Sequence, residues 1–154
     1  MSMPMEQFMR RIDFGFVIFD FGLEGKTMDE NDLRQRTKQF ALRAMKLVAA
    51  LPETAIGRTI GNQLVRSATS VGANYRAACR GRSKPEFVAK LGIVVEEADE
   101  CGYWLELIID GELLRRDLVE PLLTEANELT AIMVASHKTA QSSIEIQKSK
   151  IKNV

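Results

Sequence analysis

From Asp29 onward, apolar residues recur at steps of three and four, the spacing that lines them up along one face of an α-helix. Four such runs predict four helices. The first covers about Asp32–Leu51, with Leu33, Phe40, Ala44, Leu47, Val48 and Leu51 on one face. Pro52 ends it, because a residue before proline is pushed out of the α region. The second covers about Thr59–Arg80, with Ile60, Leu64, Ala68, Val71, Tyr75 and Ala78 as its stripe and Gly81 as its breaker. The third opens on a capping box, with Ser83 as N-cap, Pro85 in the first turn and Glu86 three residues after the serine. It carries Phe87, Leu91, Val94, Val95, Ala98, Cys101, Leu105 and Ile108 inward and closes at Gly111. The fourth runs from about Asp117 to the early 140s, with Leu118, Leu122, Ala126, Leu129, Ile132, Met133 and Ser136 facing the core. Short connections between long amphipathic helices favour antiparallel neighbours. The expected fold class is therefore all-α, an up-down-up-down antiparallel four-helix bundle over residues 29–142.

The two ends break this pattern. Residues 1–28 read as a peripheral, poorly ordered extension that does not conform to the bundle. Five of the seven phenylalanines fall here (Phe8, Phe14, Phe16, Phe19, Phe21), and Asp-Phe-Gly occurs twice, at Asp13 and at Asp20. No glycine-rich loop or catalytic-loop motif accompanies that tripeptide, so a kinase is excluded. Arg10 and Arg11 precede the apolar run Ile12–Leu23, but Asp13 and Asp20 interrupt it and no small-residue cleavage site follows. The run is neither a secretory signal nor long enough to span a bilayer. Residues 143–154 form a Lys-rich tail expected to fray.

Composition narrows the function. The 154 residues suit one domain, and Lys+Arg and Asp+Glu balance at 21 each, so no net charge draws the chain to nucleic acid or lipid. Cys79 and Cys101 lie far apart, in neither a metal-ligand nor a redox spacing, as expected of thiols in a reducing cytoplasm. A di-iron bundle site needs two Glu-x-x-His pairs, whereas His137 is the sole histidine and has no glutamate three residues before it. No Gly-Lys-Ser/Thr follows Gly57 and Gly61 to cradle a phosphate. The expectation is a non-enzymatic, cytoplasmic protein without catalytic residue, metal, cofactor, membrane partner or small-molecule substrate.

The second helix goes beyond generic periodicity. Gln63-Leu64-Val65-Arg66-Ser67-Ala68-Thr69-Ser70-Val71-Gly72-Ala73-Asn74-Tyr75-Arg76-Ala77-Ala78 closely resembles the signature of the four-helix-bundle proteins encoded in intervening sequences of bacterial large-subunit (23S) ribosomal RNA genes. Lys84-Pro85-Glu86-Phe87-Val88-Ala89-Lys90-Leu91, then Glu96-Glu97-Ala98-Asp99-Glu100, Tyr103-Trp104-Leu105-Glu106-Leu107 and Leu123-Thr124-Glu125-Ala126-Asn127-Glu128-Leu129 are similar to the same family in order and spacing. The resemblance covers about Asp29–Ala140. It implies a homo-oligomeric ring, a pentamer, and no established enzymatic activity. A relative in diversity-generating retroelements binds nucleic acid and a reverse transcriptase through a basic surface, which implies RNA or a nucleic-acid-associated protein as a partner class. This chain departs from that relative in being neutral overall.

Two constellations are candidate sites. Arg66, Ser70 and Asn74 lie four residues apart on one side of the second helix, with Glu97 and Glu100 of the third as partners for the arginine. They form either an interhelix network that fixes register or an intersubunit polar seam. Charge is also segregated: residues 58–90 hold seven bases against one acid, and residues 96–112 hold seven acids and no base. Arg76, Arg80, Arg82 and Lys84 surround the second turn. Arg34, Arg36 and Lys38 of the first helix and His137 and Lys138 of the fourth are expected at the same pole, and the N–H groups opening the third helix favour an anion there. Nucleic-acid contact and charge-matched ring assembly both fit this pole.

Overall fold

In a computed structural model, residues 28–152 are described, and they form four helices and no strand. These are α1 (Glu30–Ala49), α2 (Ala55–Cys79), α3 (Lys84–Asp110) and α4 (Arg116–Lys152). The N-terminal expectation, and residues 153–154 of the tail, lie outside the described residues.

Local chemistry sets the ends. Asp29 caps α1 in a reciprocal box with Asp32, whose carboxylate accepts from the Asp29 N–H at 3.0 Å. Thr54 caps α2 through the Gly57 N–H, starting that helix four residues before the sequence reading did. The apolar stripe alone could not locate this start, because Gly57 supplies no side chain to the stripe although it is buried. Ser83 caps α3 as expected, but the Glu86 carboxylate reaches past it to the Arg82 N–H at 2.9 Å. At the α3–α4 turn a Cβ on Gly111 would meet the Leu107 carbonyl oxygen at 2.7 Å, and Glu112 takes the left-handed conformation at φ 54°.

The buried positions alternate in steps of three and four. On α3 the seam is Phe87, Leu91, Val94, Ala98, Cys101, Leu105 and Ile108, with Gly102 and Ile109 buried beside it; on α4 it is Val119, Leu122, Ala126, Leu129, Met133, Ser136 and Ala140. A 3.5-residue period keeps each seam facing its neighbour and favours left-handed winding. The alternation corrects one expectation. Leu118 is 54% exposed and Val119 takes the inward place, since the step back from Leu122 is three residues and not four. The fourth helix runs past the early 140s, where its apolar stripe was expected to end it, to Lys152. After Pro121 no proline or glycine interrupts it, and Lys, Gln, Glu and Ala are good helix formers.

Consecutive helices pack closely, while α1 meets α4 more sparsely. Gly61 shows how close α1 and α2 approach: a Cβ there would lie 2.8 Å from Val48 Cγ1. The α3–α4 pair is antiparallel, as Gly92 faces His137 and Gly102 faces Asn127. The start of α1 lies beside the end of α2, where Glu30 and Arg34 neighbour Tyr75 and Cys79.

Candidate functional site

Around the α2–α3 turn, Arg76, Arg80 and Arg82 are exposed, and Lys84 is half-buried. Arg80 is the C-cap of α2, its N–H returning to Ala77, and Gly81 follows with its N–H on the Ala78 carbonyl. Arg76 sits one helical turn before Arg80, so the two project from one side of the helix end. Among the described residues, Arg34, Arg36, Arg66, Arg115 and Arg116 each close on a carboxylate, whereas Arg43, Arg58, Arg76, Arg80 and Arg82 form no ion pair, and the last three cluster at this turn.

The structure reduces two of the pole's expected contributions. Arg34 pairs with Glu30 at 2.7 Å. Arg36 turns to α4, where Nε donates to Glu125 at 2.7 Å and Nη2 to Glu128, a pairing that holds its pKa above the ordinary value, chiefly through Glu125. The helix terminus is also less open to an anion than its sequence suggests. Pro85 has no N–H, the Glu86 N–H is taken by Ser83 Oγ, the Phe87 N–H returns to the Ser83 carbonyl, and Glu86 adds its own negative charge. Any anion at this turn is therefore held by arginine side chains rather than by the helix end.

The second constellation is only partly assembled. Arg66 Nη1 reaches Glu97 at 3.2 Å and Nη2 reaches Glu100, whose Oε1 also accepts from Trp104 Nε1 at 2.9 Å. The Glu100 carboxyl is held below its usual range, first by Arg66 and then by Trp104. Ser70 and Asn74 do not join them; the Asn74 amide turns back to the Ser70 carbonyl at 3.0 Å. Beneath the pair lies a contact absent from the sequence reading, Cys101 Sγ donating to Ser67 Oγ at 3.3 Å. Burial pushes the Cys101 thiol up to about 12, so it is no nucleophile near neutral pH.

The Arg66 side chain is 48% exposed and its partners Glu97 and Glu100 are 17% and 33% exposed, so the guanidinium closes on two partly buried carboxylates from the solvent side, where its charge is screened. Arg66→Ala is expected to lower the urea midpoint only slightly at neutral pH. Because the Glu100 pKa is depressed on folding, its share is present above the ordinary glutamate range and lost as pH falls through the folded value. The gap between wild type and variant should then close in acid. A collapse of helicity on this substitution would show instead that the pair is buried in an interface.

Two clusters went unseen in the sequence. The Arg36–Glu125–Glu128 bridge had a readable signal, since all three residues flank the buried stripes of their helices, where interhelical pairs form. The other lies beside the basic turn. There the Tyr75 hydroxyl and Arg34 Nε are buried without a hydrogen-bond partner, and burial pushes the neighbouring Cys79 thiol up to about 11. No spacing rule announces it.

Among the described residues, no group of three His, Cys, Asp or Glu side chains could hold a metal ion, and no helix is long and apolar enough to cross a membrane. A family model described as 23S rRNA-intervening sequence protein matches residues 29–135. A crystal structure of a protein of unknown function from the S23 ribosomal protein family of Bacteroides thetaiotaomicron VPI-5482 is similar at 32% identity. The match covers 71% of this chain and 97% of that one, with a TM-score of 0.66. No curated protein matches the chain.

Proposed function

Because the chain belongs to the family of 23S rRNA-intervening sequence proteins, we propose that it is a non-enzymatic, cytoplasmic, homo-oligomeric scaffold that associates with RNA or an RNA-linked protein through its basic turn. A pentamer is the assembly the family resemblance implies. The observation that carries the RNA reading is the clustering around one turn of three exposed arginines without carboxylate partners, Arg76, Arg80 and Arg82, whereas Arg36 and Arg66 are paired across helices. Their guanidiniums suit phosphate oxygens. The aromatics that flank the turn in sequence, Tyr75 and Phe87, are buried and cannot stack on bases. Contact is then with the backbone, which positions RNA without reading its sequence. A name from the S23 ribosomal protein family, borne by the similar crystal structure, fits such a partner.

A second reading assigns the turn to ring assembly against the outer face of α3, where Glu96, Asp99 and Glu106 are exposed beside Tyr103. Titration of the protein with single-stranded RNA at increasing salt tests the first. Affinity should fall steeply and to the same degree for unrelated sequences, because binding releases counterions. No RNA binding at low ionic strength would leave assembly as the function of the turn.

A further inference from the structure

The fourth helix outruns the bundle. It has 37 residues against 27 in its antiparallel neighbour α3; with Gly92 facing His137 and Gly102 facing Asn127, the last turns of α4 run past the start of α3 by roughly 10 Å at 1.5 Å per residue. Its buried positions end at Ala140; beyond them Ile144 and Ile151 keep the three-four spacing, with polar Gln147 between them and Ile146 beside them. Ile144 is half-buried, while Ile146 and Ile151 are 55% and 76% exposed. An isolated stretch of about 12 residues is a marginal helix in water. Three isoleucines on an arm past the end of the core, two of them exposed, leave apolar surface there for a cover.

The entry of the chain into the bundle points to what covers it. Met28 packs at the edge of the core, and its Sδ accepts from Arg36 Nη1 at 4.0 Å. The same guanidinium grips Glu125 and Glu128, so the chain before Met28 leaves from alongside α4. It leaves at the end toward which α4 runs. The start of α1 neighbours the end of α2, and α3 begins just beyond and runs antiparallel to α4. Met28 therefore sits beside the helix that carries the bare arm. The 27 residues before it could span up to about 90 Å if extended, against about 18 Å for the 12 residues after Ala140.

Composition matches on both sides. Ile12–Leu23 holds Phe14, Phe16, Phe19 and Phe21 with two acids, Asp13 and Asp20, and no base. The arm offers three isoleucines with Lys148, Lys150 and Lys152 against the single acid Glu145. We propose that Ile12–Leu23 docks on the arm of α4 in its own chain, its phenylalanines over Ile144, Ile146 and Ile151 and its aspartates toward the lysines. This stands apart from the RNA reading, which uses neither segment.

The test is amide hydrogen exchange of the full chain carrying Phe14→Glu and Phe21→Glu, with oligomer mass followed by light scattering. Amides of 145–152 should exchange about tenfold faster or more than in the wild type, with α1–α3 and the oligomer mass unchanged. Arm exchange equal to that of the wild type overturns the proposal. Faster exchange with an altered mass also overturns it, since the cover would then come from a second copy.

Discussion

Phe40→Ala should destabilise the fold by about 3–5 kcal/mol, the usual cost of emptying a buried phenylalanine site. Phe40 is 1% exposed and lies between Thr37 and Ala44 in the buried stripe of α1. That helix meets α4 more sparsely than it meets α2, so few other contacts remain to hold it once the ring is removed. A loss of this size is a large part of the roughly 5–15 kcal/mol that keeps a domain folded. Chemical denaturation followed by circular dichroism measures it, with Ile56→Ala as a control at a position largely open to solvent. The control should move stability by less than about 0.5 kcal/mol. A Phe40 variant as stable as the control would mean that α1 is not an integral wall of the core.

Replacing Arg76, Arg80 and Arg82 by Glu should abolish most RNA affinity at low salt while leaving helicity intact. All three are exposed and none belongs to a buried stripe, so the fold loses no packing. Three phosphate contacts at about 0.7 counterions each should flatten the slope of log affinity against log salt by about 2. The loss should be equal for all RNA sequences, because arginines on phosphates carry no base information. Filter binding at several salt concentrations reads the slope, and mass measurement reads the assembly. If the triple variant dissociates the oligomer and leaves RNA binding at wild-type strength, the turn is an assembly surface and the RNA reading is withdrawn.

Much of the bundle was legible along the chain because its determinants are local. The Ser83 cap, the Pro52 and Gly111 stops and the three-four spacing act within one or two turns, so they are visible without a partner helix. The pairing of Arg66 with Glu97 and Glu100 could be anticipated from charge and helix phase. Its exposure could not, because exposure depends on what else covers the α2–α3 seam. The tertiary structure alone decided that Arg36 leaves the basic pole for Glu125 and Glu128, and that Ser67, not Ser70, meets the third helix. It also placed Val119 rather than Leu118 in the core. These are choices among chemically equivalent neighbours one position or one turn apart, and only the facing helix distinguishes them. The sequence by itself determined four amphipathic helices, their order and the segregation of charge along them. Which charges are neutralised within the bundle and which stay open to solvent was decided by packing, because a salt bridge depends on distance in space and not on separation along the chain.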